Sequence, residues 1–301
     1  MQHKSSSQQT IGQSKHIGYV ALNTGDLEQA IGFYHSIVGF SILKRDGKAA
    51  ILGTPENQPL LILTEIEHAT KRARNETGLD HFAILVPNRQ ELSRHFCVVV
   101  DNNYPISMIA DHIVNESFYL HDPDGNLIEI TRDLTPEELI DHRPLHSTEL
   151  ANILLTLNPP LKTHTVSPYT RIGHVLLRVT NLEESEKFYT SNIGLEVSMR
   201  MQGAVFVAAG GYHHHVGFHV WETLKGKAPS KSTVGLRYFT IQVPIYESFS
   251  KIRETFREAD TEIKVEVRKI SIRDPSGNGL LVTSKYGDIL EEAIELEAFF
   301  Q

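Results

Sequence analysis

Alternation of apolar and polar residues with period two, giving way to amphipathic helical spacing, recurs four times along the chain. The clearest instance is Ile17–Phe40, IGYVALNTGDLEQAIGFYHSIVGF, which aligns without a gap on Ile172–Leu195, IGHVLLRVTNLEESEKFYTSNIGL. In both, a strand runs into an Asp or Asn (Asp26, Asn181) that suits a helix N-cap, and the helix stops before a glycine (Gly39, Gly194). Phe33-Tyr34 meets Phe188-Tyr189 in the same alignment. Two weaker copies start at Leu79 (LDHFAILVPNRQELSRHF) and Leu236 (LRYFTIQVPIYESFSKI). Each of these ends in a turn and a strand, DPDGNLIEI at Asp122–Ile130 and DPSGNGLLV at Asp274–Val282. Proline presets φ in such a turn and glycine supplies φ > 0.

The pattern predicts four βαβββ units beginning near residues 16, 79, 172 and 236. Grouped in chain order they give a domain over 16–132 (units one and two) and a second over 169–285 (units three and four). The linker 133–168 is predicted to be helical over Pro136–Leu157 and broken by Asn158-Pro159-Pro160. Residues 1–15 read as a disordered polar arm, and 286–301 as a C-terminal amphipathic helix centred on Asp288–Phe300.

Composition narrows the classes. Among 301 residues, 40% are hydrophobic and 22% charged, as in soluble globular proteins. No apolar run reaches the roughly 18 residues of a membrane span, and the N-terminus lacks the apolar core of a signal peptide. A single cysteine, Cys97, allows no internal disulfide and suits the cytoplasm. The net charge of −8 without a basic cluster speaks against nucleic acid or an anionic membrane as partner.

The 16 histidines matter through position. His81 lies seven residues before the N-cap candidate Asn88, and His174 seven before Asn181, whereas the same place holds Tyr19 in unit one and Tyr238 in unit four. On the final strand, Glu129 of unit two is matched by Leu281 of unit four. Two imidazoles and one carboxylate form a facial triad suited to Fe²⁺, with Mn²⁺ fitting the same donors. His16 is the competing third ligand, but it sits three residues before Tyr19 and so faces the other side of a regular strand. Choosing His174 implies that units two and three share a barrel, which leaves the domain boundary open.

These residues resemble the vicinal oxygen chelate superfamily of glyoxalases, bleomycin-resistance proteins and extradiol dioxygenases, over residues 16–285. The resemblance implies an α+β fold in which the units pair into two half-open eight-stranded barrels. Ala110–Glu129, ADHIVNESFYLHDPDGNLIE, is similar to the ring-cleavage signature of catechol 2,3-dioxygenase-type enzymes. By that likeness His81, His174 and Glu129 bind the metal, and His112 and Tyr119 assist catalysis. In Gly210–Phe218 the run His213-His214-His215 matches a His-His pair whose second member is an acid/base, pointing to His215 with His213 or His214 as the fallback. The implied activity is opening of a catechol-type ring with O₂, and the family also implies a homo-oligomer. Two alternatives are carried: a glyoxalase-like isomerase or thiol transferase, with Glu222 as its further carboxylate, and a non-enzymatic binding module.

Overall fold

The computed structural model describes residues 15–157, 164–257, 263–284 and 300. The polar arm up to Ser14 and nearly all of the C-terminal helix expected over 286–301 lie outside those residues, as does the break at Asn158-Pro159-Pro160.

All four βαβββ units are present. Unit one comprises β1 (His16–Thr24), α1 (Leu27–Phe33), β2 (Ser41–Asp46), β3 (Ala49–Gly53) and β4 (Pro59–Glu65). Unit two has β5 (Gly78–Leu85), α2 (Arg89–Asp101), β6 (Met108–Asp111), β7 (Asn115–His121) and β8 (Leu127–Asp133). The linker helices α3 (Pro136–Ile140) and α4 (Ser147–Leu157) follow. Unit three has β9 (Arg171–Arg178), α5 (Leu182–Lys187), β10 (Glu196–Met201), β11 (Ala204–Ala208) and β12 (Val216–His219). Unit four has β13 (Gly235–Gln242), α6 (Tyr246–Arg257), β14 (Lys264–Val265), β15 (Lys269–Arg273) and β16 (Gly279–Thr283). The helix expected over Pro136–Leu157 is two helices, because Pro144 supplies no N–H and drives the residue before it out of helical conformation.

The anticipated N-caps are made. Asp26 accepts from Gln29 N at 2.9 Å, Asn88 from Glu91 N at 2.9 Å, and Asn181 from Glu183 N at 3.0 Å. Helices α1 and α5 each widen into a π-helical turn, Tyr34–Val38 and Phe188–Asn192. Gly39 then ends the first with φ of 91°, a value costly for any residue with a Cβ.

The strands form two eight-stranded sheets, ordered β14-β15-β16-β13-β1-β4-β3-β2 and β10-β11-β12-β9-β5-β8-β7-β6. Neither closes on itself. Units one and four meet along the antiparallel β1–β13 seam, and units two and three along β5–β9. Each sheet therefore takes one unit from either side of the linker, the pairing of units two and three that His174 implies, and neither 16–132 nor 169–285 forms a sheet of its own. The histidine-bearing first strands share one seam, and the tyrosine-bearing first strands share the other.

Consecutive units are fastened across the two sheets by a repeated buried contact. The Tyr34 hydroxyl of unit one donates to Asp122 Oδ2 of unit two at 2.9 Å, and Tyr189 of unit three donates to Asp274 Oδ2 of unit four at 2.9 Å. The same carboxylates organise the Asp-Pro-x-Gly-Asn turns. Asp122 accepts from Asn126 N and Nδ2, both at 2.8 Å, and Asp274 from Asn278 N and Nδ2, both at 2.9 Å. A motif that reads as turn chemistry also serves as the socket for the tyrosine of the preceding unit.

One large apolar cluster drawn from all four units includes Val20, Phe33, Phe118, Val175, Phe218 and Phe239. A small second cluster fills the concave face of the first sheet with Tyr19, Ile51, Ile62, Tyr238, Leu281 and Phe300. Phe300 stacks on Tyr238, with centroids 4.7 Å apart. That face is packed with apolar bulk where the second sheet carries polar groups.

On α2, His95 is fully buried with its ring 5.4 Å from that of His164. Burial, aided by the neighbouring His164 and Arg94 side chains, pushes its pKa down to about 3. The folded value thus lies below the unfolded value near 6.5. Stability from keeping His95 neutral is complete above pH ~6.5 and is lost as pH falls from there toward 3, at up to about 1.4 kcal/mol per pH unit. Denaturant midpoints measured from pH 7 to 4 should fall with acidification, and His95→Phe should flatten that slope.

Candidate metal centre

Three polar side chains converge on the concave face of the second sheet. His81 is on β5, His174 on the neighbouring antiparallel strand β9, and Glu129 on β8, parallel to β5. Alternation along each strand aims the three inward. Glu129 and His174 are buried, with 1% and 2% of their surface exposed, and His81 is more accessible. His174 Nε2 lies 2.9 Å from Glu129 Oε2, His81 Nε2 lies 3.2 Å from the same oxygen, and the two Nε2 atoms are 3.4 Å apart. The three donor atoms fall within 4.8 Å of one another, the only such cluster of three among the described residues.

His81 Nδ1 lies 3.2 Å from Asp80 Oδ1, so a proton held there is donated to Asp80 and leaves Nε2 as a lone-pair donor toward the cluster. Asp80 is itself held by Arg178 Nε at 3.1 Å and lies 3.1 Å from His219 Nε2. Glu129 also accepts from the Ser117 hydroxyl. Burial opposes ionisation of Glu129, but attraction to His174 and hydrogen bonds from both imidazoles outweigh it and hold the carboxyl well below the usual range. Burial likewise opposes a charge on His81, yet its hydrogen bonds to Asp80 and Glu129 raise its pKa to about 9. His174 is shifted the other way, burial outweighing its attraction to Glu129. Two imidazole nitrogens and one ionised carboxylate, buried and compensated on their outer sides, suit a divalent cation.

The cluster forms the floor of a cavity of about 670 Å³. Tyr119 and Glu129 oppose each other on the β7–β8 hairpin, as the Asp-Pro-Asp-Gly turn implies. The Tyr119 hydroxyl is 2.9 Å from His112 Nε2, and both residues line the cavity. Burial, followed by the charge of Glu129, raises the Tyr119 pKa far above its ordinary value, so the phenol stays protonated.

The histidine triplet divides differently from expectation. His213 and His214 line the cavity, whereas His215 does not. His215 Nδ1 accepts from Ala209 N at 3.2 Å, and its ring packs on Tyr212 with centroids 4.7 Å apart. Desolvation pushes its pKa down to about 3. The acid/base candidate therefore moves from His215 to its neighbours. Asp133 lies 3.0 Å from His213 Nε2, and His213 Nδ1 lies 2.7 Å from His214 Nδ1. The His214 ring sits 4.1 Å from that of His174. These two histidines occupy the turn before β12, where period-two alternation no longer applies. Asp80, Asp133 and His219 belong to the surroundings of the site and were not singled out from sequence; only the adjacency of Asp80 to His81 hinted at a role.

The remaining candidates lie elsewhere. His16 Nε2 is 2.9 Å from Gln242 Oε1 on the first sheet. Glu222 is bonded to Arg74 and Arg178 at 2.8 and 2.7 Å and does not line the cavity, whose only carboxylate among the described residues is Glu129.

Two curved sheets of paired βαβββ units with one polar centre define a class of protein, and comparison with known families agrees. The chain belongs to the glyoxalase/bleomycin resistance protein/dioxygenase superfamily, whose model matches residues 16–130 and 171–282. It is 32% identical over 275 residues to catechol-2,3-dioxygenase of Bacillus subtilis (strain 168), covering 88% of this chain and 96% of that protein. Over 137 residues it is 26% identical to biphenyl-2,3-diol 1,2-dioxygenase 3 of Rhodococcus globerulus, covering 44% of this chain and 71% of that one. Among solved structures, glyoxalase I from Zea mays matches with a TM-score of 0.57 at 20% identity, covering 94% of this chain and 96% of that one. That last likeness is one of fold alone. No helix among the described residues is long and apolar enough to cross a membrane.

Proposed function

We propose that the protein is an extradiol dioxygenase, opening a catechol-type ring with O₂ at a metal held by His81, Glu129 and His174. The observation that carries this reading is the convergence of those three donors beneath one cavity that also exposes Tyr119, His112, His213 and His214. The similarity to catechol-2,3-dioxygenase over most of the chain supports the same chemistry.

Fe²⁺ in this set of donors would offer adjacent open positions for a diol and for O₂ and a path for electron density between them. The protein side chains do the rest. Tyr119, kept protonated and oriented by His112, donates a hydrogen bond to an oxygen above the floor. Asp133 orients His213, whose Nδ1 then accepts from His214 Nδ1–H, leaving His214 Nε2 as a base. Desolvation lowers the His214 pKa well below its ordinary value, so the imidazole is held neutral in the substrate-free site, with its Nε2 lone pair open to a catechol hydroxyl. It returns that proton as the ring opens. Mn²⁺ suits the same donors.

The isomerase alternative requires a second carboxylate at the floor, and among the described residues the cavity has one, Glu129. Oxygen-electrode assays of the Fe²⁺-reconstituted protein test the choice. Catechol-dependent O₂ uptake with a yellow product is expected; isomerisation of a thiol adduct without O₂ uptake would overturn the proposal. Asp80→Ala is expected to weaken Fe²⁺ binding by about 10–100-fold, as loss of an outer partner of a ligating histidine commonly does. Anaerobic metal titration measures this directly.

A further inference from the structure

Resting on the ring-cleavage reading, we infer that this site selects catechols bearing an uncharged, apolar substituent, alkyl or aryl, over unsubstituted catechol or catechols carrying a carboxylate. The cavity is far larger than one ring with two hydroxyls requires, and its 670 Å³ falls within the range of roughly 300–1,000 Å³ that suits drug-sized ligands. Its chemistry is divided. Polar groups gather at the floor, while Leu176, Phe206, Met199, Met201, Ile113 and Val114 form the walls and mouth. Among the described residues no lysine or arginine lines it, and the one carboxylate that does is Glu129 at the floor. A carboxylate on the ring would lose its hydration with no cation to receive it. It would also face Glu129.

The mouth supplies a second, independent observation. Met199 and Met201 stand on β10, one edge of the second sheet, and Ile113 follows β6, the opposite edge. Their exposures are 47%, 53% and 57%, so three large apolar side chains ring the entrance in water. Ile113 is β-branched yet holds a φ of 75°, a conformation such residues rarely adopt. Its N–H is fixed by Asp111 Oδ1 at 2.8 Å, and Asp111 is held in turn by His142 Nε2 at 2.9 Å. Strain maintained by a dedicated anchor and ending in an exposed apolar side chain points to a wall built for contact. The methionines are flexible and polarisable, able to close over substituents of differing shape.

The test uses the Fe²⁺-loaded full chain and four probes: catechol, a 4-alkylcatechol, a phenyl-substituted catechol and a carboxylated catechol. Both kcat/KM and anaerobic Kd are read. Affinity should improve from catechol to the 4-alkylcatechol by about fourfold per methylene buried. The carboxylated probe should bind at least about 100-fold more weakly than the alkyl probe of similar size. Met201→Lys, at a half-exposed position that tolerates substitution, should cut the alkyl-to-carboxylate ratio of kcat/KM by about tenfold or more. Turnover of catechols with equal or better use of the carboxylated probe, or an unchanged ratio in Met201→Lys, overturns the inference and leaves ring cleavage standing. Failure to turn over any of the four overturns the ring-cleavage reading itself, and the inference falls with it.

Discussion

Alanine at His81, Glu129 or His174 is expected to abolish metal retention and lower kcat by more than about 100-fold, beyond the 10–100-fold typical of outer-sphere changes. Each supplies one of only three donors at the centre, and two of the three are almost fully buried. Among the described residues the cavity has no second carboxylate, His213 is held at both nitrogens by Asp133 and His214, and His214 Nδ1 is turned onto His213. His16→Ala should retain metal and activity within about twofold, since substitutions away from such features are worth about 0.5 kcal/mol or less. Metal content after desalting, measured beside O₂ uptake, reads both effects. Retention of one metal per chain by His174→Ala, or its loss by His16→Ala, would contradict the assignment.

Asp122→Ala is expected to cost about 3–5 kcal/mol, because it strands three donors that converge on one buried carboxylate. Those donors are the Tyr34 hydroxyl and the Asn126 N and Nδ2 groups. Tyr34→Phe removes only one of these bonds and should cost about 1.5–3 kcal/mol. Tyr189→Phe, at the equivalent contact with Asp274, should match it. Denaturant unfolding of the two single mutants and the Tyr34→Phe/Asp122→Ala double mutant forms the check. Strict additivity would show that the tyrosine–aspartate contact contributes nothing to joining consecutive units.

These contacts also explain which parts of the fold could be read in advance. The four units and their N-caps are legible because an Asx cap, a strand with period two and a turn glycine each act locally. The proposed metal set is legible because equivalent strands repeat at equal offsets, so His81 and His174 stand out against Tyr19 and Tyr238. Those same positions anticipated that units two and three meet, while chain order suggested otherwise. The β5–β9 seam joins residues about 90 apart, and no local pattern encodes such a choice. The tyrosine–aspartate contacts were hidden for a similar reason: Phe-Tyr reads as core and Asp-Pro-x-Gly-Asn as turn, each complete by itself. Sequence does not separate His213, His214 and His215, because the chain leaves strand geometry at Gly210-Gly211, both with positive φ, and alternation loses its phase there. The asymmetry between sheets was visible only in outline. Leu281 in place of Glu129 announced a missing donor, but the filling of that face by Phe300 against Tyr238 needed the tertiary arrangement.

The proposed chemistry has one sheet of the pair carrying a metal centre that places both atoms of O₂ into a catechol ring. Its most direct test is anaerobic loading with Fe²⁺ followed by an alkylcatechol and ¹⁸O₂, with mass spectrometry of the ring-opened product. One Fe²⁺ bound per chain, O₂ consumed in proportion to catechol, and label from both oxygen atoms in the product before aldehyde exchange with water are expected. A product carrying one labelled atom at first formation, or an intact ring with no O₂ consumed, would contradict it.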